Sequence, residues 1–286
     1  MNSVYGVKNK FLILFTPITK IEKFNRLALM ALITFTSDFG ERDFYVSAVK
    51  AKMLSINPQL IIVDISHQID PYNTAQAAFL VKSIYKDFPK GTVHLLAMNG
   101  TAAKKDGFIA IKHEEHIFIG PNNGVLSLLS EQEPGIIVQL TDAHIQGTTF
   151  PTKDLLAPIV AKVASGAAIH DFGGPLRSIK RMIGRQFKAT KQEIVGHILQ
   201  IDNYGNMLTN IPKDVFDLLN PGKFTIRFGR EESTVVHQSY EEVDYGDCFV
   251  LFNSLGVMEI GINQGHGADL LGLRVDSPIY INFDKE

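Results

Sequence analysis

Hydrophobic positions follow one rhythm up to about residue 164 and another after residue 193. Ala31-Leu32-Ile33-Thr34-Phe35 is an apolar, β-branched run that predicts a strand over 31–36, and Ser37-Asp38-Phe39-Gly40 predicts a turn. Over 43–56, Val46, Val49, Met53 and Ile56 recur at helical spacing, and Asn57-Pro58 ends that helix. Leu60 to Ile65 reads as a short buried strand. Ala77, Leu80, Val81, Ile84, Tyr85 and Phe88 stripe a second helix over 73–88, which Pro89-Lys90-Gly91 breaks before a third strand from Thr92 to Met98. Strand, helix, strand, helix, strand in that order points to parallel pairing with right-handed crossovers.

Shorter strands follow at 107–111, 116–119 and 136–140, then a helix from Asp154 to about Ala164. Residues 166–191, rich in glycine and basic side chains, read as a linker. The runs Ile194–Ile201, Phe224–Phe228, Cys248–Phe252, Val257–Ile262 and Ile279–Phe283 are separated by turn residues, the spacing of a small antiparallel barrel or sandwich. The expected fold is therefore α/β: an amino-terminal α/β domain with a mostly parallel sheet over 30–185, and a carboxy-terminal antiparallel β-barrel domain over 186–286. Met30 stands directly before the first strand, so residues 1–29 read as an upstream start or a poorly ordered extension.

Composition narrows the function classes. Of 286 residues, 45% are hydrophobic and 20% charged, ordinary for a globular protein of one large or two smaller domains. A net charge of −2, from 28 basic and 30 acidic residues, favours neither nucleic acid nor an anionic membrane as partner. No run approaches the ~20 apolar residues of a membrane span. The single cysteine, Cys248, excludes an intrachain disulfide and a thiolate-rich metal site; its apolar neighbours suggest a buried structural thiol in a cytoplasmic setting.

The common phosphate cradles and the nucleophile elbow are missing from the sequence. What remains lies in loops. Asp38 falls at the carboxyl end of the first strand, where an open parallel sheet takes its ligand and where a carboxylate can accept both hydroxyls of a ribose; taken alone it is also placed to cap the next helix. His67, beside Asp64 and Asp70, reads either as an acid–base or metal candidate or as a histidine bonded to its own turn. His113-Glu114-Glu115-His116 has the wrong order for a zincin and reads as an exposed hairpin turn. Gly120-Pro121-Asn122-Asn123-Gly124 and Asn203-Tyr204-Gly205-Asn206 are turns whose amides are also suited to a ligand. No residue set points to a metal.

Taken in order, several of these pieces resemble the SAM hydroxide adenosyltransferase family, which includes the fluorinase and chlorinase adenosyl-halide synthases and uses S-adenosylmethionine (SAM). The pieces are Thr36-Ser37-Asp38-Phe39-Gly40, Val63-Asp64-Ile65-Ser66-His67 with Pro71, Phe88-Pro89 with Gly91-Thr92-Val93-His94, Gly120 to Leu126, Thr149-Phe150 with Asp154 and Ala157-Pro158, Ile201 to Ile211, and Asn253-Ser254 with Gly256 and Glu259-Ile260. They span about Met30 to Ile281.

The resemblance implies a homotrimer with SAM held between subunits, as substrate or ligand, with no separate cofactor. It implies that Asp38 holds the ribose, that Phe150 and Thr152 line the pocket near the reacting carbon, and that Asp202, Asn206 and Ser254 hold the methionine portion. It also exposes departures. The family's hydrolases prepare water with an Asp, an Arg and a His; Asn99, Asp106 and Pro151 stand at those positions. Asn99, Lys105 and Lys153 are the candidate catalytic replacements, Asn99 to place water and the lysines to supply positive charge. Losing a general base typically costs ~10²–10⁴ in rate. Hydrolysis of SAM to adenosine and L-methionine and inactive binding of SAM or adenosine both follow from such a site, as does use of another nucleophile or adenosyl substrate.

Overall fold

The computed structural model describes residues 32–98, 106–130, 132–141, 148–219 and 222–283. The first part of the chain contains β1 (Leu32–Ser37), α1 (Tyr45–Ile56), β2 (Ile61–Ser66), α2 (Thr74–Ile84), β3 (Val93–Ala97), β4 (Phe108–His113), β5 (His116–Pro121), β6 (Ile136–Leu140), α3 (Ala157–Ala164) and β7 (Gly173–Pro175). The second contains β8 (Lys188–Ala189), β9 (Glu193–Ile201), β10 (Met207–Pro212), α4 (Lys213–Leu219), β11 (Phe224–Phe228), β12 (Glu231–Ser233), β13 (Cys248–Phe252), β14 (Val257–Ile262), α5 (Gly267–Leu271) and β15 (Pro278–Phe283).

Among the described residues the first sheet runs β2-β1-β3-β5-β4-β6-β7. The pairs β1–β2, β1–β3 and β3–β5 are parallel, while β4 pairs antiparallel with both β5 and β6. Helices cover both faces. Val46, Val49 and Met53 of α1 pack with Ile159, Val160 and Val163 of α3 against Ile33, Phe35, Val93 and Leu95. On the other face Ala77, Ala78 and Val81 of α2 meet Leu96, Met98, Ile109 and Phe118. Consecutive crossovers thus use opposite faces, and the strand order reverses between β1 and β3, the switch point at whose carboxyl ends open α/β sheets take their ligands.

The barrel sheet runs β12-β11-β15-β9-β10-β14-β13, with β8 added beside β9, and its pairs are antiparallel. Alternate residues of β9 and β10 point inward, so Ile194, Ile198, Met207 and Ile211 join Ile226, Val250, Ile260 and Ile279 in a separate core. Both expected architectures are therefore present.

Four local expectations need correction. Strand β2 is not buried: it sits at the sheet edge, leaving Ile61 and Val63 exposed. Ile56, expected on the packed face of α1, lies in the last turn and is exposed. Helix α2 ends at Ile84 rather than 88, because Tyr85–Asp87 tighten into a 3₁₀ turn and Phe88 is already extended ahead of Pro89. The glycine-rich stretch 166–191 is more than a linker, since β7 pairs with β6 and β8 with β9. Cys248 is half-buried; desolvation, with Glu231 and Asp247 nearby, pushes its thiol up from the usual value.

Candidate functional site

The candidate side chains fall into two groups, one in each part of the chain. The first surrounds the turn after β1. Gly40 adopts φ +71°, a left-handed conformation that suits glycine, and its N–H donates to the His67 carbonyl at 2.8 Å. The half-buried Asp38 lies within this turn, and its Oδ2 accepts the Tyr72 N–H at 3.1 Å. Beside it Phe39, Tyr45 and Phe150 pack as an aromatic wall. Phe150 meets Phe39 at 5.7 Å and Tyr45 at 5.4 Å, both edge to face.

The wall leads into a single π-helical turn over Thr152–Leu156, which widens the start of α3 and buries Thr152. Single π turns of this kind occur often at functional sites. Phe150 and, after it, Thr152 therefore adjoin the Phe39 side of the turn that carries Asp38. Lys153 turns to Asp154 at 3.1 Å, and Asp154 also accepts the Thr148 hydroxyl. The Thr148 hydroxyl and the Lys153 ammonium hold the Asp154 carboxyl below the ordinary carboxylate range, against the opposing effect of burial. The ammonium of Lys153 is thus engaged by its own neighbour.

The positions that depart from the family resemblance have definite surroundings where they are described. Asp106 pairs with Lys180 at 2.8 Å, and Pro151 opens the π turn in helical conformation. Asn99 and Lys105 lie outside the described residues. The Gly120–Gly124 loop holds the exit of β3, with the Asn123 amide donating to the Met98 carbonyl and Asn122 Oδ1 accepting Lys180 N–H.

The second group belongs to the barrel. Asp202 Oδ1 accepts the N–H groups of Tyr204 (2.9 Å) and Asn206 (2.8 Å), closing the β9–β10 turn. Gly205 in this turn has φ +83°, and a Cβ there would lie 2.5 Å from the His266 ring. Ala268 N–H donates to the Gly205 carbonyl, so the turn is keyed to the start of α5.

Ser254, exposed between β13 and β14, is not beside that turn. Met207 pairs with Ile260 while Pro212 pairs with Val257, which separates the two ends by about 10 Å of strand. Glu259 spans the gap. It is buried, accepts the Asn253 amide at 2.9 Å and takes the Tyr240 hydroxyl at 3.2 Å. Partial burial and the Glu259 carboxylate push the Tyr240 phenol up to about 12.

Tyr45, Tyr240 and His266 join these groups without having a motif of their own in the sequence. Tyr45 precedes the apolar stripe of α1 by one position, a signal that was legible. Tyr240 and His266 reach the site only through barrel closure. The histidine motif 113–116 forms a two-residue turn with Glu114 and Glu115 at positive φ, as expected, but His116 is buried against His94 at 3.1 Å, and His94 meets Thr34 Oγ1 at 2.7 Å. Among the described residues no cluster of three or more His, Cys, Asp or Glu is arranged for a metal, and no helix is long and apolar enough to cross a membrane.

Comparison with known proteins decides the family. Residues 33–173 match the SAM hydroxide adenosyltransferase N-terminal domain, and residues 196–280 match the corresponding C-terminal domain. The chain belongs to the SAM hydroxide adenosyltransferase family. Relatives of this chain include the (R)-S-adenosyl-L-methionine hydrolase of Salinispora tropica, 26% identical over 250 residues that cover 84% of this chain and 94% of the relative. The hydrolase of the same name from Methanocaldococcus jannaschii is 27% identical, covering 86% and 93%. A fluorinase from Nocardia brasiliensis is 26% identical over 67% of this chain and 74% of its own. Among solved structures, an uncharacterized conserved protein from Thermotoga maritima superposes with a TM-score of 0.81 at 28% identity, covering 87% of this chain and 99% of that one.

Proposed function

We propose that this adenosyltransferase-family chain is an enzyme that binds SAM and cleaves it to adenosine and L-methionine. The observation that carries the reading is the position of Asp38. It follows β1 at the switch point of the strand order, one residue before Phe39 of the Phe39–Tyr45–Phe150 cluster, in a chain that matches both family domains. Asp38 takes the two ribose hydroxyls as a charge-assisted pair of hydrogen bonds. Phe150 and Thr152 border the 5′-carbon, and Asp202 and Asn206 face the methionine portion, while Ser254, at the far end of β14, lies outside that contact.

The reaction is a displacement at the 5′-carbon. Oxygen from water forms the new C–O bond, the C–S bond breaks with its electrons on sulfur, and the sulfonium leaves as neutral methionine. The water proton passes to solvent or to a base. Because the leaving group needs no proton, catalysis reduces to aligning the nucleophile and stripping its solvation. Asn99 orients the water and Lys105 or Lys153 supplies positive charge.

The family resemblance implies a homotrimer in which one subunit's Asp38 turn faces its neighbour's barrel, an arrangement compatible with the Asp38 and Asp202 groups lying in different domains. Light scattering of the purified protein tests this; a monomer with full SAM affinity refutes it.

A second reading is favoured by the substituted triad. With Asp106 engaged by Lys180 and Pro151 in the place of a histidine, the chain is also suited to hold SAM or adenosine without turning it over. Calorimetric titration with SAM, with chromatography of the same mixture, separates the two. Release of adenosine and methionine supports hydrolysis, and binding without products supports the inactive binder. Absence of binding overturns both.

A further inference from the structure

We propose that His67 is a positioning residue that sets the Asp38 carboxylate for the ribose, acting through both ends of the turn that carries it. This inference rests on the reading that Asp38 is the ribose ligand.

The imidazole is 2% exposed and occupies the space between three elements. Its Nδ1 lies 2.7 Å from Ser37 Oγ, one residue before Asp38. Its own carbonyl accepts the N–H of Gly40, two residues after Asp38, at 2.8 Å. One residue therefore grips the turn on either side of the carboxylate. The ring also packs edge-on against Phe35 at 4.6 Å, which limits its rotation.

The far side of the ring is held electrostatically. Nε2 lies 3.1 Å from Asp64 Oδ1, close in distance but out of line for a hydrogen bond, and it has no other partner. Asp64 is also paired with Lys50 of α1. Burial raises the Asp64 carboxyl, but Lys50 and His67 outweigh it and keep the group below the usual range. A carboxylate beside Nε2 favours the tautomer with its proton on that nitrogen, leaving Nδ1 to accept from the Ser37 hydroxyl. The Ser37 oxygen is then free to accept the Phe39 N–H, at 3.4 Å. The chain of polar contacts runs from Lys50 through Asp64, His67 and Ser37 to the backbone on the carboxyl side of Asp38.

The order Ser37, His67, Asp64 has the residue types of a nucleophilic triad, but Ser37 is fully buried and unavailable to a substrate. The arrangement sets geometry instead. The bulge in the β1–β2 register, where Phe35 pairs with Asp64 and Thr36 with Ser66, brings His67 beneath the turn.

The test compares wild type with His67→Leu, His67→Asn and Ser37→Ala, using thermal melting and calorimetric affinity for SAM, adenosine and 2′-deoxyadenosine. Wild type is expected to favour adenosine over 2′-deoxyadenosine by about tenfold or more, as for a hydrogen bond to a charged group. In His67→Leu and Ser37→Ala that preference collapses to about twofold, and SAM affinity falls about tenfold. His67→Asn, whose side chain can still meet Ser37, recovers most of it. Should His67→Leu fail to fold, the smaller Ser37→Ala change carries the test. Folded variants that keep the wild-type preference overturn the inference, even if they melt earlier. The underlying reading is judged separately: wild type that binds no SAM, or Asp38→Ala that binds as wild type does, removes the ribose role and this inference with it.

Discussion

Acidification from pH 7 to pH 5 should weaken the fold through His94, before carboxylates contribute. The His94 ring is fully buried, stacked on Phe118 at 4.6 Å with 18° between planes, and bonded to Thr34 and His116. Tyr85 and Phe88 close the remaining sides edge-on. Burial, reinforced by repulsion from His116, lowers the imidazole to about 3. Unfolded, it takes its proton near pH 6.5, so below that pH the unfolded state binds a proton that the native state refuses. Stability is therefore lost as pH falls, by about 1.4 kcal/mol per unit once the unfolded histidine is protonated, and by about 2 kcal/mol in total from pH 7 to pH 5.

His116 is shifted downward too, chiefly by burial, and adds to the loss. The carboxylates lowered in the fold, such as Asp64 and Asp154, contribute stability that disappears only as pH falls further. Urea denaturation of wild type and His94→Gln at half-unit intervals measures the difference. The stability curve of the variant should be flatter than wild type by about 2 kcal/mol across that window. Parallel curves would show that His94 accepts its proton within the fold, and would refute the account.

Other outcomes can be stated briefly. Asp38→Ala should abolish detectable SAM binding in calorimetry while leaving the melting temperature near wild type. Gly205→Ala places a methyl group against His266 at φ +83°, so it should cost about 1–2 kcal/mol in denaturant unfolding and weaken SAM binding together with it. Glu259→Ala leaves the Asn253 amide and Tyr240 hydroxyl without their acceptor, an expected loss of about 1–3 kcal/mol. In that variant, alkaline absorbance titration should also show Tyr240 ionising below its value of about 12. Lys153→Ala, which removes a surface pair with Asp154, should change stability by less than about 1 kcal/mol; unchanged turnover would exclude the lysine from catalysis.

The carboxyl end of β1 was legible in the sequence because an apolar strand running into Ser37-Asp38-Phe39-Gly40 combines periodicity with turn chemistry. The two-residue hairpin at Glu114-Glu115 was legible only from its place between two short strand runs, since two glutamates carry no turn signal of their own. Strand β2 was misread as buried because Leu60 to Ile65 has the same apolar run whether a strand lies in the middle of a sheet or at its edge; only pairing order separates the two. The β10 strand was hidden behind its own turn, since Asn203-Tyr204-Gly205-Asn206 drew attention away from the alternation in Met207–Pro212. His67 was read with its own turn as one alternative. Its bond to Ser37, 30 residues away, is a tertiary fact that no local pattern carries. The separation of Ser254 from Asp202 likewise depends on β10–β14 register.

The two apolar layers on the first sheet have a consequence for the timing of local opening. Every residue of β3 is buried, and β1 is buried from Ile33 onward, with helices above and below. Amides in such strands exchange with solvent only through near-global unfolding, whereas edge strands and loops exchange through small local fluctuations. The Asp38 turn is thus rooted in the slowest-exchanging part of the domain, while β2 and His67 approach it from the edge. Protection should fall steeply across one strand-to-strand step, from β1 to β2. The Asp38 carboxylate and the imidazole beneath it then belong to different cooperative units of the same sheet.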